Sequence, residues 1–452
     1  MTLAQSTFSK TGYKIYGGNP LCGSVRALGA KNSVTKCLVA SLLTDQICTL
    51  HNVPNIQEVE ITVEMLSSIG SQIQWDRKTH TLSIHTPSIT STTVANRFSG
   101  ANRIPILLLG ALIGRTTEAV KIPSVGGCQI GARPVNYHFQ ALKTLGVELK
   151  IEREGETDLY IAKAPTGLRG GHIHLDYPSL GASENALLAA SWALGTTYIS
   201  NISLEPEFYD LIHFIQKIGV IITFIDDRTI KVQKGSYNGV EHTLIPDRAY
   251  AASFAMLAYA TQGEIFVEGA RQEHLGNLLS LLHQVKAPFQ IQDKGILFKF
   301  DAPLKGSIMV ETGPYPNFLT DMQQPLVTLL TQVEGAHRVH ETVYEQRFGY
   351  TKTLVEMGAD IKLSQDCCGE LSCRFKGQGF QHTAYINGRS PLVGRDIFIP
   401  DLRAGFAYVI AALMAEGPST LFNIHFLERG YGNLLEPLQT LGADILPLSV
   451  AD

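Results

Sequence analysis

The residues with the most chemistry in their order run from Lys121 to His138, K-I-P-S-V-G-G-C-Q-I-G-A-R-P-V-N-Y-H. Cys128 stands directly behind Gly126 and Gly127, Gly131 follows, and Arg133-Pro134 closes the run. Glycines permit backbone conformations and close approaches that a Cβ forbids, so the stretch reads as a loop and not a buried strand. A thiol in such a loop is accessible, and a nearby guanidinium favours the thiolate, its reactive form. Taken alone, Gly-Gly-Cys is also an ordinary Gly-rich turn. Other residues in the chain are of the types that hold anions. Lys31-Asn32 opens an apolar helix in G-A-K-N, where a cation opposes the helix dipole unless an anion binds there. Arg103 precedes the apolar run Ile104–Leu109, and Asp321 opens a further helix in F-L-T-D-M-Q. Arg347, Arg403 and Arg429 stand in E-Q-R-F, D-L-R-A and E-R-G-Y. Singly, the cations read as solvated side chains and Asp321 as a helix cap. Where several cations do meet on one anion, arginine offers it bidentate geometry.

The elements that must place these residues repeat along the chain. Similar segments open at Gly29, near Asn102, at Leu180, in I-P-D-R-A-Y from Ile245, in L-T-D-M-Q-Q from Leu319, and in I-P-D-L-R-A from Ile399. Each begins with an apolar helix, continues in a short strand, and then has an amphipathic helix. That second helix ends at Gly70, Gly146 and Gly219, near Val285, and in M-G-A-D and L-G-A-D at Asp360 and Asp444. The period of roughly 65–85 residues is too long for a solenoid repeat and fits a small α/β module. A helix apolar nearly all round, as over Ala404–Met414, is predicted to be buried. The β-branched and aromatic runs Thr196–Ile199 and Ile265–Val267 are predicted strands. Six such modules make two three-module domains. Their first helices start at Lys31-Asn32, Ser183-Glu184, Asp247, Asp321 and Asp401. Helix N-termini that converge would favour phosphate and carboxylate groups.

A formal charge of −4 over 452 residues argues against a general nucleic-acid surface. The first ten residues contain no apolar signal core, and the most apolar tract, Ile104–Ile113, is too short to cross a bilayer. Seven cysteines, an odd number without a secretory signal, predict reduced thiols and a cytoplasmic location. Cys367, Cys368 and Cys373 lack a second ligand pair at zinc spacing, so no metal is assigned to them. The six cysteines other than Cys128, namely Cys22, Cys37, Cys48, Cys367, Cys368 and Cys373, read as small core residues without a role.

G-G-C-x-x-G-x-R-P resembles the reactive loop of the UDP-N-acetylglucosamine enolpyruvyl transferases, members of the EPSP synthase superfamily. The resemblance extends through G-A-K-N, P-S-L-G, T-D, D-L-R-A and R-G-Y, over nearly the whole chain. It implies an α/β fold of two inside-out α/β barrels with six repeated modules, three per domain. One domain would span 24–245 and carry the Cys128 loop; the other would join 1–23 to 246–452. The chain would cross near Cys22–Arg26 and near Leu244–Asp247, with the substrate cleft between the domains.

The resemblance also implies transfer of the enolpyruvyl group of phosphoenolpyruvate to UDP-N-acetylglucosamine in peptidoglycan synthesis. It implies no cofactor, no metal, and neither a nucleic-acid nor a membrane partner. Cys128 would be the acid and the target of an epoxide phosphonate such as fosfomycin, Asp321 the base, and Lys31, Arg347, Arg403 and Arg429 the groups that hold phosphoenolpyruvate. Asn32, Arg103, Arg133, Pro134, Val135, Asn136, Tyr137, Ser179, Leu180, Gly181, Asp321 and Val343 would complete substrate binding. Three positions depart from the family pattern. Asn136 replaces an Asp, keeping hydrogen-bonding capacity but not charge. Ser124-Val125 stands before the glycines where Leu-Pro is usual, with the proline earlier at Pro123. Leu319 replaces a Pro. The shikimate branch of the superfamily has G-D-K-S at Gly29–Asn32 and lacks the loop cysteine. A transferase using another nucleotide, or a silent paralogue acting as a binding protein, are the other readings.

Overall fold

The computed structural model describes residues 12–126, 134–155 and 157–448. The chain forms two compact units: 29–126 with 134–245, and 12–28 with 246–448. Each unit ties its own ends together where the chain passes between them. In the first, Ala30 N donates to Ile245 O at 2.8 Å; in the second, Asp247 N donates to Leu28 O at 2.8 Å. Cys22–Arg26, expected near a crossing, is a strand of the second unit, paired in parallel with Glu264–Glu268. The passage therefore lies at Leu28–Gly29.

Six sheets match the six repeats, three in each unit. In the first unit they run Val240–Thr243, Cys48–His51, Thr81–His85, Gln72–Asp76; then Val120–Pro123, Thr157–Lys163, Glu148–Glu154; then His172–His174, Thr196–Ser200, Thr229–Gln233, Ile221–Asp226. In the second they run Cys22–Arg26, Glu264–Glu268, Gly295–Lys299, Phe289–Gln292; then Met309–Glu311, Gly335–His340, Thr383–Gly388, Asp360–Ser364; then Asp396–Phe398, Pro418–Phe422, Gly12–Tyr16, Asp444–Leu448. One strand of each four-stranded sheet is parallel to its neighbour and the other pairings are antiparallel. In the three-stranded sheet a single parallel bridge, Thr93 to Lys121, takes the place of that strand. Among the described residues every sheet is open and none closes on itself, so the repeated modules stand but no sheet is itself a barrel.

The first helix of each module is buried, as its composition requires. Pro105–Leu112 and Gln323–Leu330 are buried at every residue, and Leu402–Met414 at all but Met414. These helices have no solvent face, so no polar stripe marks them in the sequence. The second helices are amphipathic. Pro206–Ile218 buries one face and stops at Gly219, whose φ of +120° favours glycine. The three modules of the first unit share one hydrophobic core running from Val34 to Leu244. No helix among the described residues is long and apolar enough to cross a membrane.

Candidate active site

In the second unit, three of the expected residues meet. Asp321 sits in the short 3-10 turn Thr320–Met322, just ahead of the buried helix Gln323–Leu330. Its Oδ1 accepts from Arg347 at 2.8 Å, and its Oδ2 lies 3.2 Å from Arg403 Nε. Both guanidinium side chains are almost fully buried, whereas the carboxylate keeps 22% of its surface. Burial works against both guanidinium charges, but Asp321 and other negative neighbours outweigh it, so both pKa values stand above the ordinary arginine value. Asp321 thus does not cap the helix. By contrast, Asp247 and Asp401 do act as caps, accepting from the backbone of Ala249 and Tyr250 and of Arg403 and Ala404.

Neighbouring groups fix this arrangement. The Gln324 amide, with its oxygen turned towards Arg347, accepts from that guanidinium. Tyr431 places its ring 5.3 Å from the Arg403 guanidinium carbon, and its hydroxyl meets Ser253 at 2.9 Å. Arg429 lies half-buried two residues before Tyr431, on the helix His425–Tyr431. Sequence reasoning missed Glu341, which is fully buried. Its carboxylate accepts from Thr320 Oγ1 at 2.9 Å, Val343 N at 2.8 Å and Tyr344 N at 3.1 Å. It therefore ties the turn of Asp321 to the segment of Val343 and Arg347. Burial pushes its carboxyl above the ordinary value, against the pull of Arg347 and these donors. Only the fold brings it to Thr320, so no local pattern announces it.

The first unit carries the other expected residues, of which Arg103 and Gly181 both lie by His138. Lys31 and Asn32, both half-buried, open the helix Lys31–Ala40, which has neither a side-chain cap nor an acidic residue in its first turn. Arg103 lies within electrostatic reach of His138 and Tyr160. Burial, then Arg103, pushes His138 down to about 3, so its imidazole is neutral at physiological pH. Gly181 packs on that ring; a Cβ there would lie 3.3 Å from His138 Cε1. Ser179 is the N-cap of Leu180–Ala190 and its Oγ accepts from Ala182 N at 3.4 Å. Pro134 and Asn136 are exposed, Val135 is half-buried, and Tyr137 stacks on Tyr177 with centroids 6.4 Å apart. Cys128 and Arg133 lie outside the described residues. The segment leading to the cysteine is held in place: Gly126 N donates to Asn102 O at 3.2 Å, and a Cβ on Gly126 would meet Gly100 Cα at 2.3 Å. Gly126 is thus a close-approach glycine, and the same Asn102 accepts from Ile104 N at 3.0 Å at the start of the next buried helix.

The second unit also brings together His340, Cys367, Cys373 and His382. The absence of a second ligand pair near the cysteines is a property of sequence spacing alone, and the fold supplies the pair.

The family model described as EPSP synthase (3-phosphoshikimate 1-carboxyvinyltransferase) matches residues 15–438. The chain is 50% identical over 433 residues to UDP-N-acetylglucosamine 1-carboxyvinyltransferase of Protochlamydia amoebophila, covering 96% of this chain and 93% of the relative. It is 48% identical over 434 residues to the protein of that name from Chlamydia pneumoniae, covering 96% and 94%. Among solved structures, the enolpyruvyl transferase NikO from Streptomyces tendae superposes with a TM-score of 0.86 at 23% identity, covering 98% of this chain and 99% of that one. EPSP synthase from Acinetobacter baumannii gives 0.73 at 16% identity, covering 97% and 100%. The structures carry the fold and the sequence identity carries the branch: the chain belongs to the EPSP synthase family and, within it, to the UDP-N-acetylglucosamine 1-carboxyvinyltransferases.

Proposed function

We infer that the chain transfers the enolpyruvyl group of phosphoenolpyruvate to the 3′-hydroxyl of UDP-N-acetylglucosamine and releases phosphate, the first committed step of peptidoglycan synthesis. The observation that carries this is the near-full-length identity of 48–50% to transferases of that name. The paired buried arginines on Asp321 support it, because two guanidiniums held side by side on one carboxylate offer the bidentate donors that phosphate and carboxylate groups take.

In this reading Cys128 delivers a proton to C-3 of phosphoenolpyruvate, which makes C-2 electrophilic; its sulfur is also able to add to that carbon. The sugar hydroxyl attacks C-2 as Asp321 removes its proton. The tetrahedral phosphoketal then loses phosphate, and C-3 gives up a proton to leave the enol ether. Lys31, Arg347, Arg403 and Arg429 hold the phosphate and carboxylate, and Arg347 and Arg403, already held by Asp321, stabilise developing charge with little reorganisation. Asp321 occupies donors that an incoming anion would take over, which frees the carboxylate to act as the base. Arg103, Pro134–Tyr137 and Ser179–Gly181 take the nucleotide sugar, with Asn136 standing in for a carboxylate. The same kinship supports the finer reading that the sheets of each unit surround its buried helices as an inside-out barrel, and that the enzyme works in the cytoplasm.

Phosphate release tests this. It is expected with UDP-N-acetylglucosamine and not with shikimate 3-phosphate or other nucleotides. Cys128→Ser is expected to lose most turnover near neutral pH and still bind the nucleotide sugar, and an epoxide phosphonate is expected to label Cys128. Preference for another acceptor, full activity of the serine variant at about pH 8, or labelling of a different cysteine would each overturn a part of the assignment.

A further inference from the structure

The second unit holds four metal-ligating side chains that the transferase chemistry does not use. His340 ends the strand Gly335–His340, and His382 immediately precedes its antiparallel neighbour Thr383–Gly388. Cys367 and Cys373 lie in the connection between Asp360–Ser364 and Thr383–Gly388, which folds back over the end of these strands. One ligand atom from each of the four lies within 4.8 Å of the others. Cys367 Sγ and Cys373 Sγ are each 3.4 Å from His382 Nε2. A tetrahedral zinc ion with ordinary Zn–S and Zn–N lengths separates sulfur from nitrogen by about 3.6 Å.

The surroundings are those of metal-ligating histidines, whose second ring nitrogen is held by a carboxylate or a carbonyl. His340 Nδ1 is 2.8 Å from Glu311 Oε1, and His382 Nδ1 is 2.7 Å from Phe380 O. Both rings thereby present Nε2 to the cluster. His340 Nε2 is buried and has no hydrogen-bond partner among the described residues. The other oxygen of Glu311 accepts from Glu370 N at 2.7 Å and Leu371 N at 3.2 Å, in the turn between the two cysteines. One carboxylate therefore orients a histidine and shapes the loop that carries the thiols.

We propose that Cys367 Sγ, Cys373 Sγ, His340 Nε2 and His382 Nε2 bind one zinc ion as a closed structural site. Two thiolates and two imidazoles suit zinc over magnesium or calcium, and four protein ligands leave no position for substrate. Binding replaces the two thiol protons, which pass to solvent, and no electron is transferred. The ion would secure more than its own loop. Arg374, next to Cys373, donates to Val343 O at 2.5 Å, and His340 directly precedes Glu341. The site would thus pin the start of the segment that carries Val343 and Arg347.

The test uses the full chain purified under reducing conditions without chelator, with metal measured by mass spectrometry. One zinc per chain is expected for the wild type and for Cys368→Ser, whose thiol meets Tyr385 Oη at 3.2 Å instead. Cys373→Ser and His382→Ala are expected to lose it. Loss of folding in those variants is covered by a second measurement on the wild type. After removal of zinc, cobalt(II) alone is expected to give the intense visible bands of tetrahedral cobalt with thiolate-to-metal charge transfer. A wild-type chain without zinc whose cobalt spectrum is octahedral would overturn the proposal. So would zinc that persists in Cys373→Ser, or a Cys367–Cys373 disulfide in the freshly reduced protein.

Discussion

At the scale of single residues, charge accounting decides what each substitution does. Asp321 is the counter-ion of two buried guanidiniums. Asp321→Asn keeps an acceptor for Arg347 but removes the negative charge, leaving both buried guanidiniums without their shared counter-ion. Turnover is expected to fall at least about a hundredfold if the carboxylate is the base. Melting temperature should also drop, because the uncompensated charges cost stability even at a partly exposed site. A steady-state comparison in which the variant keeps wild-type kcat would remove Asp321 from the mechanism. A different carboxylate sets a pH dependence. Glu184 is buried in the helix Leu180–Ala190, and its Oε1 has no partner among the described residues. Burial lifts it from its ordinary 4.5 to about 7, helped by Glu207 and Glu205 and opposed by Lys36. The folded state keeps this proton longer than the unfolded chain. Stability from the neutral form is therefore complete at low pH and is lost as pH rises through about 7, by about 3 kcal/mol at most. Glu184→Gln removes that loss. Its melting temperature relative to wild type should climb between about pH 5 and about pH 8; a difference that stays flat would show that Glu184 ionises normally.

At the scale of elements, apolar composition predicted the buried helices because each is enclosed on all sides, and β-branched runs predicted the strands. Thr196–Ser200 and Glu264–Glu268 each fall within a residue or two of the expected segment. Cys22–Arg26 was illegible for the opposite reason. Only Val25 of its five residues is buried, so no alternation marks it as a strand, and its place comes from pairing with a segment far along the chain. The candidate site divides in the same way. Asp321, Arg347 and Arg403 were readable from motifs, whereas Glu341 and the His340–His382 pair depend on strand register that no local pattern encodes. Packing between elements gives a matched pair of tests. In Pro105–Leu112, a Cβ on Gly110 would lie 2.4 Å from Asn185 Oδ1 and 2.6 Å from Asn185 O on the neighbouring helix. In Gln272–Gln284, a Cβ on Gly276 would meet nothing within 4 Å. Gly110→Ala should destabilise by about 1–3 kcal/mol through overpacking. Gly276→Ala should stabilise by about 0.5–1 kcal/mol through helix propensity. Chemical denaturation measures both, and equal effects would mean that the helix contact at Gly110 yields freely.

At the scale of the whole molecule, the order of strands in the chain is not their order in the sheets. In the other four-stranded sheets the third strand lies antiparallel to the edge strand that precedes it in its own module. In the last module that place belongs to Gly12–Tyr16, which lies antiparallel between Pro418–Phe422 and Asp444–Leu448. The beginning of the chain therefore completes its final module, burying Tyr13 and Ile15 as it does so. Removing residues 1–17 would take out an interior strand and expose two strand edges. The two side chains alone are worth about 1.5–3 kcal/mol each, and the lost ladder bonds add to this, against a total domain stability of about 5–15 kcal/mol. The second unit should then lose its cooperative fold. The first unit keeps its own core and closes its own first sheet with Val240–Thr243 against Cys48–His51. Hydrogen exchange followed by mass spectrometry distinguishes the two. Peptides from Leu402–Met414 should exchange rapidly in the truncated chain while those from Leu180–Ala190 stay protected. Native protection at Leu402–Met414 would mean that the last module holds its sheet without the first strand, and that the modules close independently of the chain's ends.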